Sequence, residues 1–129
     1  THQFPHYPGT GRESEHGRGA GEGSTINVPM EAGGGDDEYR AVFHHVLVPA
    51  ADEFKPELVI ISAGFDAHKD DPLASMGLTE AGYADLTGIV AGIARRHAQG
   101  RILSSLEGGY NLEALAASVD AHVRGLLAA

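Results

Sequence analysis

Two short apolar runs, Leu58–Ser62 and Arg101–Leu106, constrain this chain most, because a helix-length amphipathic segment lies between them. Continuous apolar strands belong to sheets covered on both faces, which is the usual condition of parallel sheets. The segment between them repeats Tyr83, Leu86, Ile89, Val90 and Ile93 at helical spacing, with Thr79 as N-cap and Gly100 as terminator. A second helical stripe, Tyr39, Val42, Phe43, Val46, Leu47 and Ala50, precedes the first strand. Asp36, Asp37 and Glu38 open it, where carboxylates favour the helix dipole, and Pro49 and Pro56 bound its end. A third helix starts at Asn111 and turns Leu115, Val119, Val123, Leu126 and Leu127 inward. Helix, strand, helix, strand, helix predicts an α/β chain of parallel βαβ units with right-handed crossovers.

The first 35 residues read differently. Nine of the 18 glycines fall between Gly9 and Gly35, with Pro5, Pro8 and Pro29 among them, so this region is expected to be loop. Only Thr25–Val28, closed by Pro29, reads as a strand there. The domain organisation is therefore one unit over 1–129: a Gly/Pro-rich loop region, 1–35, followed by βα units, 36–129. Two or three parallel strands make a small sheet, which suggests the C-terminal piece of a larger α/β domain.

Composition removes several function classes. Nine basic against 18 acidic residues give a net charge of −9, and no basic patch is available for a phosphate backbone, so direct nucleic-acid binding is not expected. The acidic balance suits a cytoplasmic protein and a cationic substrate. No apolar run approaches the roughly 20 residues of a membrane span. With no cysteine, thiol nucleophiles and Cys-type zinc sites are excluded. Any metal must be held by His, carboxylates or carbonyls.

The chemistry sits where the strands end, as it does in open α/β sheets. The first run empties into Gly64-Phe65-Asp66-Ala67-His68-Lys69-Asp70-Asp71-Pro72-Leu73, and the second into Glu107-Gly108-Gly109-Tyr110-Asn111. Asp66 and His68 have the two-residue spacing of a ligand pair on one strand face. Asp71 before Pro72 is a turn former or a support behind a ligand. On its own, Tyr110 reads most simply as a residue packed at a helix start. His44 and His45 lie on the first helix, and solvent-facing positions explain both; His16, His97 and His122 read as surface residues.

Taken together, these motifs resemble the histone deacetylase and acetylpolyamine amidohydrolase family, in its class II form. Four segments carry the likeness in order: Thr1-His2-Gln3 through Tyr7-Pro8-Gly9-Thr10-Gly11, Ile26-Asn27-Val28-Pro29, Ser62 through His68 with Asp71-Pro72-Leu73, and Leu106 through Leu112. The resemblance implies an arginase-like three-layer α/β fold with a parallel sheet, of which this chain is the C-terminal part. It implies hydrolysis of acetylated lysine or polyamine-type amides with one zinc ion, Asp66 as a zinc ligand and Tyr110 as donor to the substrate carbonyl. Gly108 and Gly109 would aim the phenol, and Phe65 would support the same loop against the substrate. Of the remaining motif residues, only the aspartate ligates in the family, which leaves His68 outside the metal. The backbone near Thr1 would help hold a structural potassium ion.

The family's Asp-x-His ligands and paired histidines are absent from these residues, so the chain alone is expected to be catalytically silent. A non-catalytic module kept for oligomerisation or partner binding is the competing reading, with a small-molecule amidohydrolase as a third. An exposed sheet edge or face would favour self-association into a homo-oligomer.

Overall fold

A computed structural model describes residues 1–128. Its elements in order are β1 (His2–Gln3), a single 3-10 turn (Gly19–Gly21), β2 (Pro29–Met30), α1 (Asp36–Val42), a π-helical stretch (Phe43–Leu47), α2 (Val48–Phe54), β3 (Val59–Ala63), α3 (Glu80–His97), β4 (Ile102–Leu106) and α4 (Leu112–Leu127). The two longer strands pair in parallel, with Ile60 opposite Leu103 and Ala63 opposite Leu106. The α/β expectation therefore holds, with α3 as the crossover.

The Gly/Pro-rich region is closed by a short parallel pairing of β1 with β2. The strand lies at Pro29–Met30 rather than Thr25–Val28. Proline is tolerated at the first residue of a strand, and the Val28 and Met30 carbonyls accept from the His2 and Phe4 amides. Pro49 does not end the first helix; it lies in the first turn of α2, and the helix runs on to Phe54. Proline has no N–H and its ring crowds the preceding turn. The π-helical stretch immediately before it, where Val48 N–H bonds to Phe43 O, accommodates that change of ladder. Lys55 then stops the helix in a left-handed conformation, with φ 56°.

Capping follows the sequence more closely. Thr79 accepts from Gly82 N–H at the start of α3, and Asn111 accepts from Glu113 and Ala114 N–H at the start of α4. Asp36 does more than complement a dipole. Its carboxylate accepts from Thr79 N–H at 2.9 Å and from Thr79 Oγ1 at 2.6 Å, tying the first turn of α1 to the N-cap of α3.

The core gathers Met30, Tyr39, Ala63, Phe65, Met76, Leu78, Tyr83 and Leu86. One face of the β3–β4 pair, with Ile61 and Ser104, is covered by helices. The other face is bare: Ile60 and Leu103, directly opposite each other, are 63% and 56% exposed.

Helix α4 presents Ala114, Ser118 and His122 inward, while Val123 and Leu127 are exposed. This reverses part of the periodicity reading, and it makes His122 a buried residue rather than a surface one. The reason is close packing of α4 on α3, which small and hydrogen-bonding side chains permit. At Gly125 an added Cβ would come within 2.9 Å of Thr87 Cγ2. His122 lies between Thr87 Oγ1 at 2.7 Å and Ser104 Oγ at 2.9 Å. The Thr87 hydroxyl gives its one proton to Tyr83 O at 2.6 Å. It must therefore accept from His122 Nδ1–H, which leaves Nε2 to accept from Ser104.

Candidate functional site

Adjacent parallel strands end side by side, so the loops that follow them must meet. Glu107 N–H donates to Ala63 O at 3.0 Å, and Phe65 N–H donates to Gly108 O at 2.8 Å, extending the β3–β4 ladder into both loops. The first loop returns on itself through Leu78, whose N–H donates to Ala67 O and whose carbonyl accepts from Lys69 N–H. Phe65 is buried and packs its ring on Tyr83 and His122, with centroids 5.0 and 5.7 Å away. It anchors the loop from below.

Asp66, next in sequence, is half-buried and lines an open cleft of about 1130 Å³ together with Thr1, Phe65, Tyr39, Tyr83 and Ile60. Two buried phenols flank its surroundings. Burial, and then the Asp66 charge, push the Tyr39 hydroxyl up to about 12. Burial first, then Tyr39 and Asp66, raise that of Tyr83 as well. Helical spacing marks both tyrosines as core, but nothing local in the sequence signals their place beside Asp66.

Gly108 passes close over this carboxylate. A Cβ there would lie 2.8 Å from Asp66 Cγ and Oδ2, so only glycine leaves the acid room. Gly109 has φ +137° and would drive a Cβ to 2.8 Å from Leu115 Cδ1. The paired glycines thus meet two different requirements, close approach and left-handed backbone.

Tyr110 follows as a residue 56% exposed, and it is not among the cleft-lining residues. Its backbone is fixed: Tyr110 N–H donates to Asp71 Oδ2 at 2.8 Å, and Asn111 Nδ2 donates to Asp70 O at 3.0 Å.

His68 is only 1% exposed and is engaged within its own loop. Its Nδ1 accepts from Asp70 N–H at 3.1 Å, which puts the proton on Nε2, 3.4 Å from Glu80 Oε1. Glu80 is held below its ordinary range by its own backbone N–H at the start of α3 and then by His68. The ring therefore packs between the loop and the start of α3, with Nε2 making no hydrogen bond among the described residues. His97 bonds to Asp52 Oδ1 at 2.7 Å, tying α3 to α2.

Among the described residues, no group of three or more His, Asp or Glu side chains converges to hold a metal. A zinc ion needs three protein ligands even in an open catalytic site. Asp66 offers one, so the described residues do not form a zinc site by themselves.

The comparisons with known proteins agree with this strand-end architecture. A model of the histone deacetylase domain matches residues 1–126. The chain is 47% identical over 127 residues to histone deacetylase 14, chloroplastic, of Arabidopsis thaliana, covering 98% of this chain and 30% of that protein. It is 46% identical over 113 residues to a probable deacetylase of Archaeoglobus fulgidus, covering 88% and 32%. The crystal structure of the HDA15 HD domain superposes with a TM-score of 0.88 at 46% identity, over 95% of this chain and 33% of that one. The structure of the histone deacetylase Clr3 gives the same TM-score at 43% identity, over 95% and 20%. The chain thus spans about a third of the length of the first two relatives. The fold is arginase-like α/β, and with a family model spanning 1–126 this chain belongs to the histone deacetylase family.

Proposed function

We propose that this chain supplies Tyr110 and one metal ligand, Asp66, to a zinc-dependent deacetylase acting on acetylated lysine or polyamine-type amines. One observation carries the reading. The loops bearing these residues leave neighbouring parallel strands and stay so close that a single added Cβ at Gly108 would touch the Asp66 carboxylate.

In amide hydrolysis a water oxygen bonds to the acyl carbon and the carbon–nitrogen bond breaks. The amine leaves with a proton, and acetate remains. Negative charge gathers on the carbonyl oxygen, and a positioned hydroxyl donor stabilises it. Tyr110 is the donor in this reading: its phenol is accessible while its backbone is held. Gly108 and Gly109 set its approach, and Phe65 supports the floor beneath Asp66. With a single candidate ligand on the described residues, the remaining zinc ligands must come from elsewhere. The 129 residues alone are expected to show neither stoichiometric tight zinc nor turnover. A structural potassium ion at the Thr1 backbone and a cytoplasmic location belong to the same proposal, the latter on the net charge of −9.

The test uses the full-length protein loaded with zinc. Tyr110→Phe should lower turnover of an acetyl-lysine peptide by roughly ten- to a thousandfold, with KM kept. Asp66→Ala should lower the zinc content itself. Full turnover in the first variant would remove Tyr110 from its role, and unchanged metal in the second would remove Asp66. Turnover of acetylated polyamines but not peptides would select the small-molecule amidohydrolase. Turnover of neither would favour a non-catalytic module.

A further inference from the structure

Asp71 makes an arrangement that a turn alone does not need. It is 8% exposed, and its carboxylate is met by three backbone amides. Oδ1 accepts from Leu73 N–H at 2.9 Å and Ala74 N–H at 3.2 Å, closing the turn that Asp71-Pro72 predicts. Oδ2 points the other way and accepts from Tyr110 N–H at 2.8 Å, 39 residues along the chain. The same carboxylate therefore joins the Asp66 loop to the tyrosine. The residue before Tyr110 is Gly109, with φ +137°, so no side chain there restrains the backbone. The phenol is mostly exposed, so packing does not restrain it either.

We propose that Asp71 is a positioning residue that sets the Tyr110 phenol relative to Asp66. This rests on Tyr110 being the hydroxyl donor. A charged acceptor on the Tyr110 amide fixes the peptide from which the side chain projects. Displacement of a reacting group by about 1 Å costs on the order of 100-fold in rate.

The discriminating substitution is Asp71→Asn. The amide oxygen keeps the two bonds of the turn, because reversing the side chain would lose two bonds to save one. The amide nitrogen then faces Tyr110 N–H, donor against donor, so only the link to the tyrosine breaks. In the zinc-loaded full-length protein, Asp71→Asn should lower kcat about 10- to 100-fold, with KM and zinc content unchanged. In a Tyr110→Phe background the same substitution should add nothing, since there is no hydroxyl left to misplace.

Equal effects of Asp71→Asn in both backgrounds, or none in either, would overturn the positioning role while leaving Tyr110 as donor. An active Tyr110→Phe enzyme would instead remove the donor reading beneath it. Should Asp71→Asn not fold, hydrogen exchange of the Tyr110 amide in the unaltered protein decides the matter. Slow exchange beside an exposed phenol supports the link, and exchange at the solvent rate overturns it.

Discussion

The imidazole of His122 is held on both sides, by Thr87 on α3 and Ser104 on β4, and burial pushes its pKa below the ordinary histidine value of 6.5. The folded state therefore prefers the neutral ring, which alone can accept from Ser104. Stability from this residue is complete above the unfolded pKa and is lost as pH falls through the lower folded one. We predict that the His122 ring protons titrate below 6.5 by NMR, and that His122→Ala flattens the loss of stability on acidification just under that value. The substitution should also cost about 2 kcal/mol, because it leaves the Ser104 hydroxyl without its acceptor, while Thr87 keeps its bond to Tyr83 O. A ring titrating above 6.5 would show that the pair of hydroxyls does not hold the neutral form. Asp71 also joins distant segments with one side chain, and its substitution separates turn from bridge because each carboxylate oxygen has a different partner.

Elements β3 and β4 deliver Asp66 and Tyr110 through loops whose separation is set at Gly108. The atoms that an added Cβ would strike belong to the Asp66 carboxylate, which is the movable end of a side chain and not backbone. Gly108→Ala should therefore displace the acid more than it disturbs the fold. On the proposed ligand role of Asp66, the full-length protein should bind zinc at least about tenfold more weakly, with a melting temperature within a few degrees of the unaltered chain, about 1 kcal/mol of stability. Unchanged zinc affinity would mean that the carboxylate does not face the metal. Gly109→Ala, by contrast, should destabilise, since it meets both the left-handed backbone penalty and Leu115. At this scale β3 and β4, the Thr79 and Asn111 caps and the two loops follow from local sequence rules. The continuation of the first helix through Pro49 does not, because a π-helical ladder depends on how the turn before the proline relaxes.

Over the whole molecule, the bare sheet face is the largest departure from what apolar strands require. Ile60 and Leu103 face solvent as a directly paired couple, with Leu58 also exposed nearby. Exposed apolar patches on sheets are sites of association. The 129-residue chain is expected to self-associate, and Ile60→Thr with Leu103→Thr should shift its sedimentation toward the monomer. Association unaffected by the pair would place the contact on another surface. Local patterning was enough to determine the α/β class, the helix caps and the ends of the two longer strands, because each depends on neighbours within a few residues. Only the tertiary structure decided that Asp36 ties to Thr79, that His122 lies buried between two hydroxyls, and that Asp71 reaches Tyr110. Those are contacts between groups far apart in the chain, and a hydrogen bond depends on the direction and distance of its partner, which residue spacing does not encode.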